Sequence, residues 1–449
     1  MQLEQDTIVA IATPPGRGGI GIVRLSGADS LAIVLPMLEL RRPLAAGQMR
    51  FGRLIEEGTG EALDEVVVSY FAGPRSYTSE DVVEIAAHGS PVLLEYVVRG
   101  CIGRGARLAE PGEFTQRAFL SGRLDLTQAE AVHDLVSAST LHQARVAAAQ
   151  LGGSVARAVG PLKQELVALI AGLEAGVDFA EDDLDLMEQD QMVGRIAHIE
   201  AGLAALAKSY EYGRVVRAGF TLAIVGRPNA GKSSLFNRLL ERERAIVTAE
   251  PGTTRDPIAE RLSLGGIPVE VIDTAGLREG SIGEAERLGI ERSRMTMAEA
   301  DLVLHVVDAT AGELHAEDVA TQRGLEGRPS LLVWSKADLL EERRASAPGQ
   351  LVSAMTGEGI EELRQAVVKV FAGSAQTEGG MLTNLRQHGA VDEAWRALAQ
   401  ARRAALAAVP HEMVLLDLYA GLTALDGLTG ATSAEDVLQL IFSSFCIGK

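Results

Sequence analysis

Residues 220–234, FTLAIVGRPNAGKSS, constrain the fold of this chain more than any other stretch. The first six are mostly apolar or β-branched, which predicts a short buried strand. Residues 226–233 then form a complete G-x-x-x-x-G-K-[ST] pattern, and the helical run SSLFNRLLERE follows. Glycines let a backbone wrap closely around a polyphosphate, and the N–H groups of the loop and helix N-terminus point toward negative charge. We therefore predict a strand, a phosphate-binding loop and a helix, in that order.

Apolar segments after residue 216 alternate with helical ones, which is typical of a mainly parallel sheet. The predicted strands read LAIVG, VEVID, LVLHVVD and SLLVWSK. Helical patterns precede and follow this unit. Before it, we predict a capping box at 127–130 that opens a helix through Ala149, a helix that begins at Pro161, and a third that ends near Tyr210. After it, we predict helices at 383–408 and 413–425 and a last helix capped by residues 432–435.

The N-terminal part alternates short β-branched runs with Gly/Pro turns, which predicts an α+β domain over residues 1–120. The fold class expected for the whole chain is multidomain α/β. An all-α helical domain, residues 121–215 and 376–449, is interrupted by an inserted P-loop domain, residues 216–375.

Composition excludes several classes of protein. With 449 residues, the chain is long enough for roughly three domains. No apolar run approaches about 18 residues, so we expect no membrane span, and we expect no secretory signal. Two cysteines, Cys101 and Cys446, are too few for a disulfide framework, which fits a cytoplasmic protein.

The net charge of −19 argues against a broad basic surface for nucleic acid, so any RNA contact is expected to be local. Four arginines are candidates for such a contact, although an ordinary solvated surface explains them equally well. They are Arg104, Arg107, Arg402 and Arg403.

Three motifs predict the chemistry of the phosphates. Lys232 can reach the outer phosphates, and the Ser233 hydroxyl can bind Mg²⁺. The sequence DTAG follows the predicted strand VEVID, where the Asp273 carboxylate can hold Mg²⁺ through water. Thr254, in the stretch VTAEPGTTRD, is the second predicted Mg²⁺ hydroxyl.

The SKAD sequence at 335–338 predicts the choice of base. The Asp338 carboxylate can accept from both donors of guanine, a pair that adenine lacks, and the Lys336 stem can stack on the purine. GTPases usually carry Asn where Ser335 stands, so we expect one base contact to be shortened and the affinity to be lower. Residues 353–355, SAM, resemble the fifth GTPase motif. We predict GTP rather than ATP.

Leu277 follows DTAG at the position where many GTPases keep a water-orienting Gln. Hydrolysis therefore needs another device. The Asn229 carbonyl, with Thr248, Thr253 and backbone carbonyls, could hold a K⁺ that supplies the positive charge of an arginine finger. Alternatively, Asn229 only caps the loop, as Asn often does in turns.

These motifs are joined by DTIVAIATPPGRGGIGIVRLSG near the start, ERLGIE after DTAGLRE, and FSSFCIGK at the end. With them, the chain resembles the MnmE (TrmE) family of tRNA-modification GTPases over nearly its whole length. The resemblance implies a homodimer whose N-terminal domain dimerises and binds 5-formyl- or methylene-tetrahydrofolate. It implies K⁺-stimulated GTP hydrolysis through transient pairing of two GTPase domains. It also implies an FAD-dependent partner, MnmG (GidA), in a heterotetramer that adds a carboxymethylaminomethyl group at carbon five of the wobble uridine of certain tRNAs.

The resemblance implies a role for individual residues of the nucleotide site. Asn229, Thr248, the Glu250 carbonyl and Thr253 would bind K⁺, and Ser233 and Thr254 would bind Mg²⁺. Glu286 would orient the attacking water, with Glu284 a less favoured alternative. The predicted GTP-binding residues are Asn229, Ala230, Gly231, Lys232, Ser233, Ser234, Thr248, Ala249, Glu250, Pro251, Gly252, Thr253, Thr254, Asp273, Thr274, Ala275, Gly276, Ser335, Lys336, Ala337, Asp338, Ser353, Ala354 and Met355.

For the folate, the resemblance points to Arg24, Glu84, Arg123 and Lys449. A carboxylate can pair with the donor edge of a pterin and an arginine can bind a glutamate tail, although each residue could also be an ordinary surface charge. The Cys446 thiol could attack a pyrimidine ring, but a cysteine between Phe445 and Ile447 is more often a small buried hydrophobe.

Two rival functions remain open at this stage. The first is a switch-type GTPase in ribosome assembly that has no folate chemistry and does not need the N-terminal block or the CIGK terminus. The second is a folate-dependent enzyme in which the GTPase only regulates assembly with a partner.

Overall fold

The computed structural model describes residues 6–178, 188–240, 259–273, 300–340, 348–372, 380–430, 445 and 448. The chain divides into two compact units. The first contains Met1–His133, Leu151–Gly153 and Thr423–Lys449, and the second contains Asp134–Gln150 and Ser154–Leu422.

A seven-stranded sheet forms most of the first unit. Its strands are β1 (Ile8–Ile11), β2 (Gly18–Ser26), β3 (Leu38–Leu40), β4 (Gln48–Ile55), β5 (Ala62–Phe71), β6 (Val82–Gly89) and β7 (Arg107–Leu108), in the order β3-β4-β5-β6-β2-β1-β7. Every neighbouring pair is antiparallel except β1 and β7. The sheet buries Val23, Leu25 and Ile85 on a core shared with the helices α1 (Ser30–Val34) and α2 (Pro91–Ile102).

The α+β prediction for this region is confirmed, with β1, β2, β5 and β6 at the predicted apolar runs. The strands β3, β4 and β7 were not predicted. In β4, QMRFGRLI, polar residues and a glycine interrupt the apolar ones, so the segment lacks a continuous apolar signal.

Helices α3 (Glu113–Leu120), α4 (Leu126–Ser137) and α5 (Leu141–Leu151) follow. The predicted continuous helix through Ala149 was wrong, because the chain stops and restarts between α4 and α5. The capping box is also shifted. Asp125 Oδ1 accepts from the Gln128 N–H at 2.8 Å and Gln128 Oε1 accepts from the Asp125 N–H at 3.0 Å. Thr127 is instead buried inside α4.

The long helices of the second unit are α6 (Ser154–Asp178) and α7 (Gln189–Ala218). Pro161 lies inside α6 and does not begin it, so the helix forgoes one hydrogen bond there. The α6 helix has a buried apolar face that includes Leu166 and Leu169. The α7 helix runs eight residues past the predicted end at Tyr210, because apolar positions continue through the buried Val216 until Gly219, whose φ of 75° ends it.

The second sheet has six strands, in the order β13-β12-β11-β8-β10-β9. They are β8 (Phe220–Val225), β9 (Ala259–Leu264), β10 (Ile267–Asp273), β11 (Leu302–Asp308), β12 (Ser330–Ser335) and β13 (Gln350–Leu351). All neighbours are parallel except the antiparallel pair of β9 and β10, so the predicted, mainly parallel sheet is confirmed. The remaining helices are α8 (Lys232–Leu240), α9 (Ala316–Gly324), α10 (Ile360–Ala372), α11 (Leu385–Leu406) and α12 (His411–Thr429).

The predicted helices 383–408 and 413–425 correspond to α11 and α12, and α11 packs along α7. The last predicted helix, capped at 432–435, lies outside the described residues. Within the described ranges, no helix is both long enough and apolar enough to cross a membrane.

Candidate nucleotide-binding site

The phosphate loop connects β8, at the centre of the second sheet, to α8. Gly226 opens the loop at φ 150°, and a Cβ at this position would lie 2.1 Å from the Val306 carbonyl oxygen. Only glycine can therefore start the loop against β11. The loop turns with a hydrogen bond from the Ala230 N–H to the Arg227 carbonyl at 3.2 Å, and the Leu235 N–H reaches the Gly231 carbonyl at 2.9 Å as α8 begins.

Lys232, the first residue of α8, extends its side chain back across this loop. Its ammonium group donates to the Gly226 and Arg227 carbonyls, both at 2.8 Å. Ser233 follows it and is exposed. The sequence pattern thus folds as predicted, with a cation and a hydroxyl at the helix N-terminus, where phosphate groups are bound most favourably.

Asn229 lies at the exposed crest of the loop in the left-handed region, at φ 63°. Asn tolerates this conformation better than most residues, which suits the loop-capping interpretation, and the exposed side chain also suits a cation ligand. The structure is compatible with both. The partners predicted for K⁺, namely Thr248, Glu250 and Thr253, lie outside the described residues, as does Thr254.

The carboxyl ends of the parallel strands bring the other motifs to the same edge of the sheet. Asp273 ends β10 opposite Ile224 of β8, and Ser335 ends β12 opposite Asp308 of β11. Ligands of open parallel sheets bind at this edge. Other predicted residues of this site, including the candidates for orienting the water, lie outside the described residues. They are Ala249, Pro251, Gly252, Thr274, Ala275, Gly276, Glu284 and Glu286.

The base end of the site is a cluster of charged and polar groups. The Lys336 ammonium lies 2.6 Å from Asp308 Oδ2, and Asp338 Oδ1 accepts from the Ser353 hydroxyl at 2.5 Å. The Ala337 N–H donates to the Val352 carbonyl at 3.0 Å. The structure therefore brings the SKAD sequence (335–338) and the SAM sequence (353–355) together. Within the latter, Ala354 is half-buried and Met355 is exposed.

Asp308 is a site residue that sequence reasoning missed. Burial alone would raise the pKa of its carboxyl, but the hydrogen bonds from Lys336 and Thr310 outweigh it and lower that pKa. The carboxylate is thus ionised and holds the Lys336 ammonium at 2.6 Å. The available signal was its place at the carboxyl end of the strand LVLHVVD, next to the phosphate loop.

In the first unit, two of the predicted folate residues form an ion pair. Arg24 of β2 lies directly opposite Glu84 of β6, and Arg24 Nη2 and Nε lie 2.7 and 2.8 Å from Glu84 Oε1. The Arg24 guanidinium also lies 5.6 Å from the centre of the Tyr77 ring. Arg24 Nη1 donates to the Gly448 carbonyl at 3.4 Å, which connects the pair to the chain terminus.

Arg123 joins this group through Tyr77. Burial raises the pKa of the Tyr77 hydroxyl, while the Thr115 hydrogen bond and the charges of Arg24 and Arg123 oppose the rise. Lys449 and Cys446 lie outside the described residues. Arg24 therefore contacts both Glu84 and the Tyr77 ring, and the charge of Arg123 acts on the Tyr77 hydroxyl.

A buried ionic network lies in the same unit and was not predicted. Arg117 is 4% exposed, and its guanidinium lies 2.6 Å from Asp6, 2.9 Å from Glu113 and 3.2 Å from Glu80. Glu80 also accepts from the Ser26 hydroxyl at 2.7 Å, so the network reaches β2, two residues from Arg24.

The arginines considered for RNA have acidic neighbours. Arg104 pairs with Glu57 at 3.0 Å, Arg402 with Glu200 at 2.6 Å, and Arg107 with both Asp6 and Glu113 at 2.7 Å. Arg403 acts on the nearby Asp417 carboxyl. These pairs favour the interpretation as ordinary charged surface over a dedicated RNA contact.

Comparisons with known proteins agree over almost the whole chain. The model of the GTP-binding protein TrmE N-terminus matches residues 7–123, and that of the MnmE helical domain matches residues 126–446. The chain is 56% identical over 451 residues to a tRNA modification GTPase MnmE of Koribacter versatilis (strain Ellin345), covering 99% of each. It is 41% identical over 451 residues to that of Aquifex aeolicus (strain VF5), covering 99% of this chain and 100% of the relative.

Among solved structures, the G domain of the FeoB iron transporter of T. maritima is 27% identical and covers 34% of this chain and 98% of that one. Its TM-score of 0.24 is too low to support an argument. The family models and the full-length relatives suffice: the chain belongs to the MnmE family of tRNA modification GTPases.

Proposed function

We propose that this chain is a K⁺-stimulated GTP hydrolase. With an FAD-dependent partner of the MnmG type, it adds a carboxymethylaminomethyl group at carbon five of the wobble uridine of certain tRNAs. The observation that carries the nucleotide half is the shared edge of the second sheet, where Lys232 lies across the phosphate loop and Asp338 lies at the base end. Membership of the family supports the tRNA half.

The residues of the loop suit a magnesium nucleotide. The Lys232 ammonium lies across the loop, where it can donate to phosphate oxygens, and a charge-assisted hydrogen bond of this kind is about twice as strong as one between two neutral groups. Ser233 and Thr254 would hold Mg²⁺, which neutralises phosphate charge when bound. Asn229, Thr248, Glu250 and Thr253 would hold K⁺, which supplies positive charge beside the phosphates.

Glu286 is proposed to orient the attacking water, since the position after DTAG is leucine. The test measures GTP turnover by the full-length chain in K⁺ and in Na⁺ at equal ionic strength. We expect faster turnover in K⁺, and a loss of about 100-fold in Glu286→Ala with GTP binding retained. Glu284→Ala is the matched control and should turn over normally. Equal rates in the two salts would refute the potassium proposal.

The first unit is proposed to bind 5-formyl- or methylene-tetrahydrofolate through Arg24, Glu84, Arg123 and Lys449. Arg24 pairs with the Glu84 carboxylate and orients it, which suits the donor edge of a pterin. Calorimetry of the full-length chain with 5-formyl-tetrahydrofolate tests this. We expect Glu84→Gln to weaken binding at least about tenfold, because a charged hydrogen-bond acceptor is lost, and the exposed control Glu95→Gln to leave it unchanged. If the Glu84→Gln and Glu95→Gln chains bind the folate with the same affinity, the assignment of Glu84 is wrong.

The proposed domain arrangement follows these sites. Residues 1–120 form the folate-binding and dimerisation domain, residues 121–215 and 376–449 the helical domain, and residues 216–375 the GTPase domain. The working assembly is a cytoplasmic homodimer that joins MnmG in a heterotetramer. Light scattering of the chain with and without the partner measures that stoichiometry.

A further inference from the structure

The hydroxyl of Ser335, the first residue of the SKAD sequence, lies beside the phosphate loop. Its Oγ lies 2.5 Å from the Ala230 carbonyl oxygen and 3.1 Å from the Val307 carbonyl oxygen. The residue is 4% exposed. A serine hydroxyl carries one proton, and both neighbours are carbonyl acceptors, so that proton is committed inside the protein. The side chain joins β12, β11 and the phosphate loop.

The side chains that follow Ser335 are assigned to parts of guanine other than the edge that carries N7. Guanine presents N7 and O6 as acceptors on one edge and its ring N–H and exocyclic amine as donors on another. Asp338 is an acceptor, so it reads the donor edge. The Lys336 ammonium is held by Asp308. Among the described side chains of residues 335–338, Ser335 commits its one proton to a backbone carbonyl, and Lys336, whose stem is expected to stack on the face of the purine, donates to Asp308.

We propose that Ser335 determines how this site reads its base: the side chain braces the phosphate loop, and guanine N7 is left without a protein hydrogen bond. The inference rests on the proposed GTP binding and goes beyond it. It also revises the expectation from sequence that Ser335 makes a shortened base contact. An asparagine here has two amide protons, so it could serve the Ala230 carbonyl and N7 together.

Replacing guanine N7 by C–H tests this directly. Competition binding on the full-length chain with Mg²⁺ compares GTP with 7-deaza-GTP. We expect the wild-type chain to bind the two within about twofold of each other. In Ser335→Asn, GTP should bind at least about threefold more tightly than 7-deaza-GTP, which is the ordinary effect of one neutral hydrogen bond.

Ser335→Ala separates the brace from a base contact. Because the lost hydroxyl supports the loop, both nucleotides should weaken by the same factor, about five- to tenfold, with their ratio unchanged. A wild-type preference of fivefold or more for GTP over 7-deaza-GTP would overturn the inference. So would a Ser335→Ala chain that loses affinity for GTP alone.

The outcome is separable from that of the proposed function. A wild-type chain that binds neither guanine nucleotide, or binds ATP equally well, overturns GTP binding and this inference with it. A chain that binds GTP selectively but strongly disfavours 7-deaza-GTP overturns only the reading of N7. The wild-type comparison decides between these results even where a variant fails to fold.

Discussion

The ionic network of the first unit and the phosphate loop of the second place polar and charged side chains in different ways, although Lys336 and Asp308 form a charged pair at the base end of the second. In the first, charged side chains are paired with other charged side chains, as where Arg117 meets Asp6, Glu80 and Glu113. At the nucleotide edge of the second, Lys232 and Ser335 donate to neutral backbone carbonyls of the loop and the adjacent strand. The first arrangement neutralises its charges internally. The second places its donors on backbone carbonyls at the phosphate loop.

This difference separates a scaffold from a working site. A guanidinium enclosed by three carboxylates gains nothing from a new anion, so the Arg117 network fixes β2 and the Arg24–Glu84 pair but does not respond to a ligand. The Lys232 ammonium, which donates to two loop carbonyls, can also donate to a phosphate that binds in the loop. We therefore expect loss of the Arg117 network to lower stability and loss of the Lys232 ammonium to lower activity.

The largest effect on stability should come from Arg117→Met in the full-length chain. It removes a buried cation and leaves three carboxylates that it had compensated, which costs about 3–5 kcal/mol. Hydrogen exchange of amides in β2 and β6 measures the loss. The control is Arg99→Met, which breaks a solvent-exposed pair with Glu95 and should cost at most about 0.5 kcal/mol. If the two variants exchange alike, the network is not a stabilising scaffold.

Lys232→Ala should show the reverse pattern. Removing the ammonium should reduce GTP turnover by about 100- to 1,000-fold, because positive charge at the transferred phosphate is lost. Its stability should change little, since the two carbonyls at the loop surface can bond to water. Turnover and amide exchange in β8 are measured on the same sample. A variant that loses exchange protection in β8 along with activity would show that Lys232 is structural.

The sequence disclosed these two regions unequally, for physical reasons. The phosphate loop uses consecutive residues, so a local pattern reports it together with the strand before it and the helix after it. The Arg117 network joins positions up to 111 residues apart in the chain, and no local pattern contains them. Asp308 was missed because its partner Lys336 is 28 residues away in the chain, directly after the next strand, β12. The break between α4 and α5 was missed because the Gln143 side chain caps the N–H groups of Ser139 and Thr140, which propensity does not register.

The two units should also respond differently to pH. Burial would raise the pKa of Glu113, but hydrogen bonds from Arg107, the Glu110 N–H and Arg117 lower it below the ordinary 4.5. The stability that the ionised Glu113 carboxylate contributes to the fold is complete above about pH 4.5 and is lost as pH falls through the lowered pKa. In the second unit, burial lowers the pKa of His305 below 6.5, although Asp318, 3.6 Å away, opposes the shift. The neutral imidazole is favoured in the folded chain, so this stability is complete above about pH 6.5 and lost as pH falls below it.

Between about pH 7 and pH 5 the second unit should therefore weaken while the first does not. His142, whose pKa is lowered by burial and by the charge of Arg145, adds to the trend. Exchange of β11 amides, corrected for intrinsic rates, is compared with that of β2 at the two pH values. His305→Gln should flatten the β11 response without altering that of β2. Parallel loss of protection in both sheets would contradict the assignment.

The smallest expected effect tests whether side-chain contacts to backbone carbonyls stabilise only their surroundings. Thr140 Oγ1 donates to the Gly266 carbonyl at 2.5 Å, at the turn between β9 and β10, and accepts from the Gln143 N–H at 3.1 Å. Thr140→Val keeps the branched shape but leaves these groups without their partner, which costs about 1–2 kcal/mol. Exchange of the β9 and β10 amides should quicken at least about fivefold while that of β12 is unchanged.

Thr321→Val is the matched control, because its hydroxyl only donates to the Glu317 carbonyl one turn earlier in α9, a bond that the helix does not require. It should leave the β9 and β10 amides unaffected. A loss of protection in Thr140→Val that spread evenly over the whole second sheet would mean that this contact behaves as the Arg117 network does. The contrast between charge-paired and carbonyl-bound side chains would then fail, since a single neutral bond would control a cooperative unit.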